Sequence, residues 1–228
     1  MGKVCVIFGA GRGVGQGVAN IFANEEDFEK VVCIRRTKPQ DYVEVNADDY
    51  YVSDSSKASK VVWKYFDVCC PEEELKRYVD EIEEECGQID VAIYNVGCNA
   101  GLRLLDRTRA STMTKVLNLG VIGALNMARV IVPLFKKRGG GFLGFTGATA
   151  SIRAVQEHHA HAAAMAARRS LAHSLAHELN PHNIHVSHVI IDGPVDAPDT
   201  LGKVFPEFYQ SEQFQKMIVP LMMILSQI

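Results

Sequence analysis

At 228 residues, with 47% apolar and 22% charged residues, the chain has the make-up of a single large globular domain, not of a disordered or fibrous protein. Its formal net charge of -3 gives no general attraction for nucleic acid or anionic membrane. No uninterrupted apolar run reaches the roughly 18 residues of a membrane span, and MGKVCVIFGAGRG passes straight into glycines without a cleavage site, so no signal peptide is expected. The six cysteines (Cys5, Cys33, Cys69, Cys70, Cys86, Cys98) contain no Cys-x-x-Cys pair. Cys5, Cys33 and Cys98 lie in or beside apolar runs and are expected as buried free thiols, which suits a reducing, cytoplasmic setting.

In chain order, KVCVIF (3–8) is a continuous apolar run ending in glycine, the pattern of a strand buried on both faces. A helix-compatible stretch follows from Val14 to about Asn24, then short strands at VVCI (31–34) and VVWKYF (61–66). After Pro71, Leu75, Val79, Ile82 and Cys86 recur at helical spacing, and Gly87 stops that helix. IDVAIY (89–94) predicts a fourth strand, Ser111 to Lys137 a long helix, and GFLGFT (141–146) a fifth strand. A helix over Ala160 to Leu179 and a strand at IHVSHVII (184–191) complete the alternation. Strands separated by helices imply an α/β fold, a doubly wound parallel sheet with helices on both faces. The polar, turn-rich segment 37–60 is expected as a long surface loop near the adenosine end of a nucleotide. With no linker or repeat, residues 1–228 are expected to form one domain.

Between the first strand and the first helix stands Gly9-Ala10-Gly11-Arg12-Gly13-Val14-Gly15. Glycines there permit a tight turn and close backbone approach. The following helix offers free N–H groups and its positive dipole end to a diphosphate. At the end of the second strand, where NAD enzymes usually hold an acid for the ribose hydroxyls, this chain has Arg35 and Arg36, joined by Arg12 from the glycine loop. Guanidinium groups suit a 2′-phosphate, so NADP(H) is expected in preference to NAD(H).

With these stretches, and with FDV (66–68), GQIDVAIYNVG (87–97), the Pro133-to-Gly141 segment, GFLGFTGATAS (141–151) and NIHVSHVIIDGPVD (183–196), the chain resembles the short-chain dehydrogenases/reductases over nearly its whole length. Its TGATAS stretch resembles a divergent branch of that family. The resemblance implies a Rossmann-like NAD(P)-binding domain. It places Asp67 and Val68 beside the adenine, Asn95 and Gly97 at the turn beside the cofactor, and Gly193 and Val195 in the loop near the nicotinamide.

The family's chemistry uses a tyrosine, a lysine four residues later, a serine and an asparagine, with hydride supplied by the cofactor. By the same resemblance the tyrosine and lysine positions carry His161 and Met165. The serine position falls on Gly147 or Ala148, with Thr149 and Ser151 the nearest hydroxyls. Anchoring on Gly123 and Pro133 puts Gly120 at the asparagine position; Asn118, two residues and about 200° away around a helix, faces elsewhere. All four positions are therefore substituted. His161 remains able to carry a proton, and Thr149 or Ser151 to donate to a substrate carbonyl.

All eight histidines lie between 158 and 188, with His173/His177 and His158/His161 each on a shared helix face. Neither a His-Glu-x-x-His arrangement nor a nearby cysteine accompanies them, so no metal site is assigned. After Asp196 the chain reads like a substrate-loop region, then ends in IVPLMMILSQI without the family's usual last strand. That apolar end is expected to be covered at a homo-oligomer contact. Three functions are open at this point. One is an NADP(H)-dependent oxidoreductase on a carbonyl or alcohol, with a rearranged proton donor. The others are an NADP(H)-binding module without turnover and a structural homo-oligomer.

Overall fold

The computed structural model describes residues 2–37, 59–98, 103–195, 202 and 206–212. Most of the 37–60 loop and the apolar C-terminal end lie outside those residues. The described elements, in order, are β1 (Lys3–Phe8), α1 (Val14–Asn24), β2 (Phe28–Arg35), β3 (Val61–Tyr65), α2 (Glu72–Cys86) and β4 (Ile89–Tyr94). They continue as α3 (Ala110–Leu117), α4 (Gly123–Arg138), β5 (Gly141–Ala148), α5 (His159–Leu179), β6 (Ile184–Ile191) and the short α6 (Pro206–Tyr209).

The six strands form one parallel sheet in the order β3-β2-β1-β4-β5-β6. The order reverses between β1 and β4, and in such a sheet the crevice beyond the strand ends at that reversal is where a nucleotide binds. β1 is central, and its side chains alternate between two apolar layers. Val4, Val6 and Phe8 join the core with α2, α4 and α5, whereas Cys5 and Ile7 join the layer with α1. Both faces of this strand are thus buried, the physical reason its sequence is an unbroken apolar run. β2 begins at Phe28, three residues before the run VVCI, because Phe28 packs edge-on against Phe22 of α1 and is itself buried.

α2 follows its periodicity: Leu75, Val79 and Ile82 are buried, three glutamates occupy the first turn, and Gly87 ends it at φ +99°. α3 and α4 are one continuous 29-residue helix interrupted by a π-helical turn, Asn118–Ile122. The turn lies where the helix presses on β4. A side chain on Gly123 would collide with the Tyr94 hydroxyl, which instead donates to the Leu119 carbonyl at 2.7 Å. A π-turn releases main-chain carbonyls from the helical ladder for such partners.

By length and hydropathy Ala110–Arg138 is the one helix among the described residues that could cross a membrane, a feature a search for uninterrupted apolar runs overlooks. Here it contributes Ala124, Met127, Ala128, Ile131 and Phe135 to the core beneath the sheet. α5 buries the small residues Ala160, Ala162, Ala164 and Ala172, with Met165 and Arg168.

Candidate cofactor and active site

The glycine loop owes its shape to two close approaches. Gly9 has φ +94°, and a Cβ there would lie 2.8 Å from the backbone of Asn95 and Val96. At Gly15 a Cβ would lie 2.7 Å from Ala10 Cα and 2.8 Å from the Gly9 carbonyl, so the first turn of α1 sits directly on the loop. The amides of Gly9 and Ala10 both donate to the Ile34 carbonyl, at 3.0 and 2.8 Å, which ties the loop to the end of β2. Gly13 and Val14 begin α1, whose first N–H groups have no partners within the helix. By contrast, a Cβ on Gly11 or Gly97 would meet nothing within 4 Å among the described residues. Those two glycines floor an open space.

That space is a cleft of about 410 Å³ at the strand-order reversal. Gly9, Arg12, Arg35, Arg36, Asp67, Val68 and Gly97, all expected at the cofactor site, line it together. Arg12 and Arg36 are exposed and Arg35 is half-buried, so three guanidinium groups face the cleft from two segments. Asp67 accepts the Cys69 amide at 2.9 Å, which fixes its carboxylate at the opposite wall. The sequence reading missed further lining residues: Ile34 and Phe66 at the strand ends, Val96, and Lys115 and Leu119 from the long helix. Lys115 adds a fourth cation; only the docking of α3 over the sheet brings it there.

Asn95 holds the cleft from behind. Its Nδ2 donates to the Gly9 carbonyl at 2.8 Å and its Oδ1 accepts from Thr146 at 3.0 Å, binding the glycine loop to β4 and β5. Gly193 and Val195 follow β6 and do not line this cleft. The residue before them, Asp192, accepts the Thr149 hydroxyl at 2.5 Å and so closes the end of β5 onto that loop. Thr149 is thereby engaged. Ser151 Oγ, by contrast, is buried and has no hydrogen-bond partner among the described residues.

His161 lies in the first turn of α5, half-buried, with Nδ1 3.9 Å from the thiol of Cys98. Burial lowers its pKa, the neighbouring His158 and the charge of Arg168 lower it further, and the Cys98 carbonyl opposes them. Met165, four residues on, is 3% exposed and packs with Cys98, Val116, Ala160 and Ala164. The serine position is closed as well: any side chain on Gly147 would run into the imidazole of His188. His188 Nε2 is buried without a hydrogen-bond partner among the described residues, and burial, reinforced by Arg168, His173 and Arg169, pushes its pKa down to about 4. Gly120 is buried and Asn118 exposed, as the helix geometry requires.

Arg168, unremarked in the sequence, is the largest buried side chain at 1% exposed. Its guanidinium donates to three main-chain carbonyls: Nε to Gly120 at 2.7 Å, and its two terminal nitrogens to Thr146 at 2.9 Å and Val96 at 2.8 Å. It lies 5.0 Å from the centre of the Tyr94 ring. Among the described residues no carboxylate forms an ion pair with it. Also among the described residues, no three His, Cys, Asp or Glu side chains gather as a metal site.

The chain is similar in sequence to curated proteins and in fold to solved structures. The Xenopus laevis protein named carbonyl reductase family member 4 is 25% identical over 90% of this chain and 84% of its own. An NAD-dependent glycerol dehydrogenase of Listeria innocua is 25% identical over 95% of this chain and 79% of its own. Among solved structures, L-sorbose reductase from Gluconobacter frateurii, complexed with NADPH and L-sorbose, superposes with a TM-score of 0.76 at 23% identity, covering 94% of this chain and 78% of its own. The family model described as short chain dehydrogenase matches residues 3–205, which take in the glycine loop, the whole parallel sheet and α5. The chain therefore belongs to the short-chain dehydrogenase family.

Proposed function

We propose that this protein is an NADP(H)-dependent oxidoreductase acting on a small carbonyl or alcohol, with His161 as the proton donor in place of the family's tyrosine. The observation that carries the cofactor assignment is the convergence of Arg12, Arg35 and Arg36 on one cleft floored by Gly11 and Gly97. The start of α1 would hold the diphosphate, Arg12, Arg35 and Arg36 a 2′-phosphate, and Asp67 and Val68 the adenine. When bound, the dinucleotide supplies or accepts hydride. The chain's own task is to hold a carbonyl beside His161 and to move one proton between that ring and the substrate oxygen. The relatives point both ways on cofactor, one containing NADPH and one named as NAD-dependent, so the preference rests on this chain's arginines.

Calorimetry with NADPH and NADH tests the assignment, followed by NADPH consumption across a panel of carbonyls. Tighter NADPH binding and turnover abolished in His161→Ala are expected; equal activity in His161→Ala removes the histidine's role.

A second reading, a module that binds NADP(H) without turnover, is favoured by one observation. Met165 is buried in an apolar cluster, and Arg168, one turn further along the helix, is bonded to three main-chain carbonyls. Turnover by the unmodified protein counts against it, and reductase activity appearing only in the His161→Tyr, Met165→Lys variant supports it. Self-association is also proposed, on the exposed Ile122 and Leu125 of the long helix, and sedimentation measures it.

A further inference from the structure

The residue packed against the inner edge of His161 is Cys98, which directly follows Gly97 on the floor of the cleft and is 1% exposed. Its place there depends on Gly120. A Cβ at 120 would stand 2.8 Å from Ala164 Cβ and 3.2 Å from Cys98 Sγ, so a side chain there would collide with Ala164 and crowd the thiol. Arg168 fixes both neighbours of the thiol. It grips the carbonyl of Gly120 on one side and that of Val96, two residues before Cys98, on the other. Gly120 and Cys98 are thus packed together, with Arg168 bonded to the backbone on either side of the thiol.

The contact has a directional consequence. His161 is half-buried with Nδ1 against Cys98, so Nε2, across the ring, is the nitrogen left for a substrate. A neutral imidazole carries one proton, and the hydrogen bond made by one nitrogen decides which nitrogen holds it. A thiol can donate to Nδ1 at 3.9 Å, whereas the Cys98 carbonyl, which also acts on this ring, can only accept. Burial raises the pKa of Cys98, so the thiol rests protonated and is a donor, while the nearby Arg168 charge favours the thiolate when one forms.

We propose that Cys98 is a positioning residue whose S–H donates to His161 Nδ1, so that the ring presents Nε2–H to a substrate carbonyl. This rests on the oxidoreductase reading above. In the reductive direction hydride adds to the carbonyl carbon and the C=O π electrons move to oxygen. The Nε2–H bond breaks as the O–H bond forms, and Nδ1 takes the proton of Cys98, leaving a thiolate beside Arg168. A solvent proton then enters at Nε2, and Nδ1 returns its own to sulfur.

The test is a long-range ¹H–¹⁵N correlation spectrum of the full chain labelled in histidine, with the His161 signals assigned by their loss in His161→Gln. The Nε2–H tautomer is expected at neutral pH. Cys98→Ser, which keeps a donor, is expected to retain it, and Cys98→Ala to move the ring toward Nδ1–H, paired with the residue 98 carbonyl. A His161 already in the Nδ1–H form, or one unmoved in Cys98→Ala, overturns the proposal. This readout requires no substrate, so an absence of turnover would count against the oxidoreductase reading and leave the tautomer to decide the role of Cys98. With an active carbonyl in hand, Cys98→Ala should lower kcat by about tenfold or more at unchanged NADPH affinity, with most of the rate recovered in Cys98→Ser. An undiminished kcat in Cys98→Ala also overturns it.

Discussion

Replacing Arg168 by methionine keeps the length of the side chain and removes its charge and donors. Three carbonyls, at Gly120, Thr146 and Val96, then lose their guanidinium partners in the interior. A hydrogen bond to a charged group contributes ~1.5–3 kcal/mol net. Three such bonds, offset by the release of a cation that is costly to bury, make a loss of ~3–5 kcal/mol for Arg168→Met. That is a large share of the ~5–15 kcal/mol by which domains are stable. With a urea dependence of roughly 2–3 kcal/mol per molar, the unfolding midpoint should fall by about 1–2.5 M. Arg168→Lys retains the charge but cannot span three acceptors, so its midpoint should lie between the two. Equilibrium urea unfolding followed by far-ultraviolet circular dichroism measures this. A methionine variant within about 1 kcal/mol of the parent, with an unchanged slope, would refute the claim that this arginine ties the ends of β4 and β5 to the π-helical turn.

The same structure makes further demands. Arg36→Ala or Arg12→Ala should weaken NADPH about tenfold to a hundredfold and leave NADH almost unchanged, as calorimetry would show; equal losses for both nucleotides would move the arginines away from the 2′-phosphate. Gly15→Ala puts a methyl group 2.7 Å from Ala10 Cα, so the loop must shift and both nucleotides should bind more weakly. Gly147→Ser should destabilise by ~1–3 kcal/mol through collision with His188, and His188→Ala should relieve most of that cost. His188 has a folded pKa of about 4 against an ordinary 6.5, so the unfolded chain binds more protons between those values. Its contribution is therefore full above pH 6.5 and is lost as pH falls toward 4. Urea midpoints at pH 7 and 4.5 should differ less in His188→Gln than in the parent; an identical difference would show that another group sets the slope.

Much of the cofactor half was legible in the sequence, because its signals are local. A strand ending in glycine, a helix start and two arginines after the next strand are contiguous features, and close backbone approach at Gly9 and Gly15 admits only glycine. Gly193 and Val195, inferred from resemblance, do not line the cleft described here. Lys115 and Leu119 were invisible because they enter from a helix that follows the strand-order reversal. The catalytic half was legible mainly as a set of losses. Resemblance could show that His161, Met165 and Gly120 stand where other residues are usual, but not what replaced their contacts.

The sequence by itself determined the α/β alternation, the buried central strand, the glycine loop and its arginines, since each follows from periodicity or from a steric limit within a few residues. Only the tertiary structure decided that His188 fills the space beside Gly147, that Cys98 meets His161, and that Arg168 is buried against three carbonyls. The physical reason is sequence separation. Cys98 and His161 are 63 positions apart, and Arg168 reaches back 48 and 72 positions to Gly120 and Val96. Such contacts exist only once parallel strands β4 and β5 have been brought side by side and α5 laid across them, and no local pattern encodes that juxtaposition.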